Sequence, residues 1–257
     1  MEKSGWLASG WLARMLKSME VAWRALGAGS DGAWMIETDG VLAAVVPAVP
    51  GRSVFNSVLY QTPENLAAAR NELAAAYDEA GVQAWTVWVP QSDRASADLL
   101  ESAGHKLDAT PRGMVLELAD LPDPDPGDLE WSAAGSLAEM KRINDAAYGD
   151  PPGTFERGIG NPPPHTWRIY EARFEGRAAS VLATTEVHGD CAIWWVATVP
   201  AARGRGLAAR LLHVALGEAR ERGVETSTLQ ATKLGRPVYE RLGYHDIGEL
   251  QMWELRR

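Results

Sequence analysis

The spacing of hydrophobic residues changes repeatedly along this chain. Leu12, Met15, Leu16, Met19 and Trp23 recur every three or four residues, the rhythm of a helix with one buried face. This first helix is read as carrying Trp6, Trp11 and Trp23. Residues 33–46 then form a hairpin turning at Asp39-Gly40, a dipeptide suited to tight two-residue turns. Residues 53–60 read as a strand, 63–80 as a helix, 82–89 as a strand and 94–104 as a short helix, followed by the segment 105–118.

"LPDPDPGDLE", residues 121–130, breaks the pattern, because three prolines among acids continue neither a helix nor a central strand. Beyond it the same grammar returns. A helix over 136–147 is followed by a long Pro/Gly-rich loop, 148–165. Strands follow over 166–174 and 178–187, joined at Glu175-Gly176, and a third over 191–199 is entered through Gly189-Asp190. A helix over 207–222, a strand over 226–232 and a short helix over 236–243 come next, and 244–256 closes with strand material.

The two halves align as an internal repeat. "EAGV" at 79–82 matches "ERGV" at 221–224, an offset of 223 − 81 = 142. "DLLESAGHK" at 98–106 matches "PVYERLGYH" at 237–245, and "DGVLAAVV" at 39–46 echoes "EGRAASVL" at 175–182.

Composition narrows the function classes. The 257 residues suit two ordinary domains, and 46% hydrophobic residues with eleven tryptophans can fill both cores. The formal charge of −9, with no Lys/Arg run, argues against a nucleic-acid partner and suits a cationic substrate better. The lone Cys191 lies in an apolar run and reads as a small buried hydrophobe, and no Cys/His spacing resembles a metal site. Arg14 and Lys17 interrupt the N-terminal segment before a signal-peptide core forms, and no apolar run is long enough to span a membrane, so a cytoplasmic protein is expected.

The segment "VPAARGRGLAARLL", 199–212, joins a strand to a helix through two glycines. The first N–H groups of a helix lack internal partners and carry the positive end of its dipole, and glycine lets backbone approach a phosphate closely. Gly204, Gly206 and Ala208 are in place to wrap a diphosphate, with Arg203 or Arg205 adding charge. The spacing is neither that of a dinucleotide fold nor of a P-loop; taken alone, a tight strand–helix turn explains it too.

A second signature follows: Tyr239-Glu240-Arg241-Leu242-Gly243-Tyr244. Arg203-x-x-Gly206-x-Ala208 together with this Tyr-Glu-x-Leu-Gly-Tyr segment resembles the GNAT acyltransferase superfamily (Gcn5-related N-acetyltransferases), over residues 129–257. The resemblance implies acetyl-CoA as acyl donor and no metal. It implies that Arg203, Gly204, Arg205, Gly206, Leu207 and Ala208 hold the diphosphate. It also implies that Ala197, Thr198 and Val199 pair with the pantetheine arm, and that Tyr239 protonates the leaving thiolate. The family often has an asparagine seven residues before the tyrosine; here that position is Thr232. Many members place a glutamate on the strand before the loop, but 191–199 holds no carboxylate. Glu186, one strand earlier, is a candidate substrate contact, as are Tyr148 at the start of the Pro/Gly loop and Trp194 or Trp195. Strand alternation sends these two tryptophans to opposite faces, one into the core. His165, His188 and His213 read as loop, turn and helix-surface residues.

Carried to the first half by the 142 offset, Arg203 to Ala208 map onto Gln61-Thr62-Pro63-Glu64-Asn65-Leu66, and, allowing for three extra residues in the first copy before residues 98–106, Tyr239 maps onto Leu100. The glycines are gone, a proline removes an N–H, Glu64 stands where phosphate would sit, and Leu100 has no proton to give. The expectation is therefore an α+β chain of two tandem GNAT-like domains, each a twisted, mixed but mostly antiparallel sheet flanked by helices. Residues 1–120 form a catalytically silent domain, 121–128 a linker and 129–257 the active domain. The activity expected is acyl transfer, most simply acetyl transfer, to a primary amine of a small molecule or peptide by a monomer or homodimer. A non-catalytic acyl-CoA sensor or scaffold, and an O- or longer-chain acyltransferase, are the alternatives.

Overall fold

The structure, a computed structural model, describes residues 10–257; Trp6 lies outside them. In chain order its elements are α1 (Gly10–Gly29), β1 (Trp34–Thr38), β2 (Val41–Val45), β3 (Ser57–Tyr60), α2 (Pro63–Glu79), β4 (Ala84–Pro90), α3 (Arg94–Ser102), β5 (Lys106–Ala109) and β6 (Arg112–Glu117). There follow β7 (Trp131–Ser132), α4 (Leu137–Tyr148), α5 (Thr154–Ile159), β8 (Arg168–Phe174), β9 (Arg177–Val187), β10 (Asp190–Thr198), α6 (Leu207–Glu221), β11 (Thr226–Ala231), α7 (Arg236–Arg241) and β12 (His245–Arg256).

Two compact units result, and neither is a contiguous half of the chain. One contains the chain to Gly113 together with Arg157–Pro163 and Ile247–Arg257; the other contains Met114–Glu156 and Pro164–Asp246. The boundaries expected from the Pro-rich segment, 1–120 and 129–257, therefore differ from the observed grouping at β6 and at β12.

In the first unit, β1, β2 and β3 form an antiparallel meander, and α2 crosses over to bring β4 parallel to β3. β12 then runs antiparallel to β4 from Leu250↔Pro90 to Arg256↔Ala84, with β5 also paired to β12. Val45, Val58, Leu66, Leu73, Tyr77, Trp85, Leu100 and Trp253 share the core. The strand expected over 53–60 begins only at Ser57. Buried Asn56 winds the preceding residues into turns, its Oδ1 accepting from Val46 N at 2.7 Å and its Nδ2 donating to the carbonyls of Val49 and Arg52.

The second unit repeats the plan. β7, β8, β9 and β10 are successively antiparallel, α6 crosses over, and β11 lies parallel to β10, with β6 beside β11. Its core gathers Leu116, Leu118, Tyr170, Leu182, Cys191, Ile193, Leu211, Leu212, Leu216 and Leu229. Cys191 is fully buried, and burial pushes its thiol pKa up, so it is the inert hydrophobe expected. The long loop 148–165 contains one helix, α5, that its Pro/Gly content concealed. Asp145 builds its start by accepting from Gly153 N at 2.7 Å and Phe155 N at 2.9 Å.

Candidate functional site

The site is prepared by an irregularity in β10. Its pairing with β9 is regular to Trp194↔Ala183 and resumes at Ala197↔Val181, so two residues, Trp195 and Val196, face one. At this bulge Trp195 has φ +54°, a left-handed conformation uncommon for a large side chain. On the opposite edge the parallel ladder with β11 runs only from Asp190↔Thr226 to Ala192↔Thr228. Beyond it the two strands share no registered pair, and a crevice outside the carboxyl ends of parallel strands is where ligands of α/β sheets bind.

β10 delivers the chain into the glycine loop at this end. Ala197, Thr198 and Val199 are fixed along β9: Ser180 Oγ donates to Ala197 O at 3.2 Å, and Val199 N donates to Ala179 O at 2.9 Å. Gly204 and Gly206 both have φ above +70°, and a Cβ on either would meet nothing within 4 Å. Gly206 is the N-cap of α6, and no side chain caps that helix. Leu207 is buried and anchors the first turn while Ala208 is half-buried, so the orphan N–H groups of the turn sit at an open surface. The exposed residues Arg203–Gly206 and the uncapped start of α6 thus leave backbone N–H donors open to an anion. The arginines are engaged within the protein: Arg203 bonds the carbonyls of Thr198 and Ala147, and Arg205 lies 4.1 Å over the ring of Phe174.

α7 supplies the tyrosine. Thr232 stands just before it, its Oγ1 accepting from Gly235 N at 3.2 Å and its carbonyl from Arg236 N at 2.9 Å, which starts the helix. Gly235 packs on the ring of Tyr239: a Cβ there would sit 3.0 Å from a ring carbon. Tyr239 is 8% exposed and lies edge-on to Tyr244 at 5.8 Å. The hydroxyl of Tyr244 exchanges a 2.6 Å hydrogen bond with Ser227, whose Oγ donates to Cys191 O. Burial, and then the neighbouring Tyr148, push the Tyr239 pKa well above that of a free phenol. Tyr148, at the end of α4 and 54% exposed, therefore neighbours Tyr239 as well as stacking on Phe155.

Trp195 turns its ring between Phe155 at 5.4 Å and Trp167 at 6.4 Å, both edge-on, while Trp194 is buried. Trp194 is the more deeply buried of the pair and Trp195 is half-buried, in left-handed backbone. Glu186 is not brought to the site. It pairs in register with Cys191 at the start of β10, seven residues or ~20 Å of strand from the loop, and is ion-paired with Arg222. His165 and His188 occupy left-handed turn positions, and His213 Nε2 lies 2.8 Å from Pro122 O. Asn144, Asp145, Phe155 and Trp167 also shape this region and were not singled out from sequence. Asp145 sits in a D-x-x-x-x-x-P-P-G-T-F context, a faint signal for a remote cap.

Among the described residues no group of three His, Cys, Asp or Glu side chains converges to hold a metal, and no helix is long and apolar enough to cross a membrane.

Comparison with known proteins agrees with this geometry. No curated protein matches the sequence. Among solved structures, a GCN5-related N-acetyltransferase from Kribbella flavida superposes with a TM-score of 0.67 at 18% identity, covering 93% of this chain and 95% of that one. One from Sphaerobacter thermophilus gives 0.58 at 20% identity, covering 84% and 80%. A tandem GNAT protein from the clavulanic acid biosynthesis pathway gives 0.54 at 12% identity, covering 95% of each. At such identities these matches speak for the fold. The model of the acetyltransferase (GNAT) domain matches residues 135–247, the span holding the bulged strand, the glycine loop and Tyr239. Residues 135–247 therefore match the acetyltransferase (GNAT) domain, within a fold that GNAT structures share over most of the chain's length.

Proposed function

We propose that this protein transfers an acyl group, most simply acetyl, from coenzyme A to a primary amine of a small molecule or peptide. The diphosphate rests on the backbone of Arg203–Ala208, and the pantetheine arm lies along Ala197, Thr198 and Val199. The amine nitrogen attacks the thioester carbon, the carbon–sulfur bond breaks, and the departing thiolate takes the proton of Tyr239 Oη. The proton lost by the amine passes to water, and Tyr239 is reprotonated from solvent. Tyr148 and Trp195 border the acceptor side.

The observation that carries this reading is a contrast between two helix starts. α6 begins at Gly206 with no side-chain cap and open space before both glycines. α2, its counterpart, begins at Pro63, and Thr62 caps it by accepting from Asn65 N at 3.2 Å. One N-terminus is left open to an anion; the other is closed by its own chain. Leu100, in the place of Tyr239, is fully buried. The first unit is accordingly read as silent.

Calorimetric titration with acetyl-CoA, for the wild type and for Gly206→Glu, tests the cofactor site. Strong binding is expected for the first and loss of it for the second, and equal affinities would sink the assignment. A thiol-release screen of acetyl-, propionyl- and succinyl-CoA against amines and alcohols tests the chemistry. Release only with alcohols points to an O-acyltransferase. Binding without acceptor-dependent release points to a sensor or scaffold.

A further inference from the structure

We infer that Asn144 is a positioning residue for the acyl donor: it holds the β10 bulge in the shape that receives the pantetheine arm. The inference rests on the acyl-CoA reading above.

The bulge does not hold itself. A non-glycine residue in left-handed backbone costs on the order of 1–3 kcal/mol and persists only where its surroundings over-determine it. Trp195 is such a residue, and an unconstrained β-strand would return it to extended geometry. Two features oppose that return. The ring is wedged between Phe155 and Trp167. The carbonyl accepts from Asn144 Nδ2 at 3.3 Å.

Asn144 is an unlikely residue for its place on any other ground. It is fully buried in the interior of α4, where asparagine is a poor helix former and an unsatisfied polar atom is costly. The orientation of its amide follows from chemistry. Nδ2 faces two carbonyls, Trp195 O and Met140 O, at 3.3 and 2.9 Å, and only the nitrogen end can donate to both. Oδ1 is consequently left buried without a hydrogen-bond partner. A buried group that breaks a local rule this way marks a site where shape outweighs stability.

A second tie lies one turn further along α4. Arg203 spans Ala147 O at 2.6 Å and Thr198 O at 3.2 Å. α4 is therefore tied to β10 directly at carbonyl 195 and, through Arg203, at carbonyl 198, just before and within the residues expected to face the pantetheine arm. With Asn144 removed, Trp195 O loses this hydrogen bond and the strand is less firmly held away from regular pairing. The change falls on the pantetheine slot and leaves the glycine loop at the start of α6 in place.

This separation gives the test. The full-length wild type and Asn144→Leu are titrated calorimetrically with acetyl-CoA and with 3′-phospho-ADP, which keeps the diphosphate but lacks the pantetheine arm. The expected result is acetyl-CoA affinity weaker by about tenfold or more in the variant, with 3′-phospho-ADP affinity held within about twofold. Unchanged acetyl-CoA affinity, or parallel loss of both compounds, overturns the inference while leaving the acyl-CoA reading intact. A wild type that binds neither compound overturns that reading and this inference with it. Should Asn144→Leu fail to fold cooperatively, Asn144→Ser, too short to reach Trp195 O, is read by the same criteria.

Discussion

Arg203, the first residue of the glycine-loop signature, donates from Nη2 to the backbone carbonyl of Ala147 at 2.6 Å. Its Nε reaches Thr198 O, so the guanidinium is committed to two protein carbonyls. A charged donor on a carbonyl is a strong hydrogen bond, but this side chain is exposed and solvent screens it. Arg203→Gln is therefore expected to cost about 1 kcal/mol in a urea melt and to weaken acetyl-CoA far less than Gly206→Glu. Loss of affinity with no change in the melt would show instead that Arg203 serves the phosphate.

Tyr239→Phe separates acid from packing. The ring remains in its place against Tyr244 and Gly235, and only the hydroxyl is lost. Turnover should fall at least about tenfold, or ~1.4 kcal/mol in the barrier, with acetyl-CoA affinity nearly unchanged. Because burial and Tyr148 hold the phenol above its ordinary pKa of about 10, Tyr239 keeps its proton through neutral and mildly alkaline pH. Wild-type turnover should consequently show no alkaline decline assignable to Tyr239 below about pH 10. A pH–rate profile that loses a limb near pH 8 to 9 in Tyr239→Phe alone would contradict this assignment.

Much of the plan is legible in the sequence because its determinants are local. Asp39-Gly40 sets the first hairpin, and Gly40 has the positive φ that such turns require. The run from Leu207 to Ala219 carries its own helical face, and Gly206 marks its start. The misses share a different physics. α5 depends on Asp145, eight residues before Gly153, and residues 53–56 are wound by Asn56 reaching back to Val46. Trp195 takes left-handed backbone at a bulge where Asn144, on another element, donates to its carbonyl. Composition marks 121–130 as a connection but says nothing of which sheet a strand on either side will join.

His105 makes a pH-dependent contribution that no motif announces. It is buried in the first unit with its ring edge-on to Trp85 at 4.6 Å, and burial holds its pKa down to about 4. The unfolded chain, with an ordinary histidine near 6.5, binds more protons between these values. The stability owed to the neutral ring is therefore complete above about pH 6.5 and is lost as pH falls toward 4, up to ~3 kcal/mol. Urea melts across this range should lose that increment of slope in His105→Phe. Identical pH dependence in the two proteins would mean that His105 titrates normally.

The exchange of strands predicts that cutting the chain at its Pro-rich segment leaves neither fragment whole. Residues 1–120 lack β12, which covers the edge of β4 from Leu250 to Arg256 and brings Trp253 into the first core. Residues 126–257 lack the stretch that carries Met114, Leu116, Leu118 and Leu121 into the second core. Each such side chain is worth ~1.5–3 kcal/mol when buried, so the second fragment forfeits about 6–12 kcal/mol. That is comparable to the whole stability of an ordinary domain. An unprotected β4 edge would add a route to aggregation for the first fragment. Expressed separately, both fragments should be insoluble or lack a cooperative thermal transition, and fragment 1–120 should bind no acetyl-CoA. Expressed together, they should be recovered as one complex, each supplying the strand the other lacks. A fragment 126–257 that is soluble, melts cooperatively and transfers acetyl groups alone would show that β6 is dispensable and that the contiguous division at the linker is the functional one.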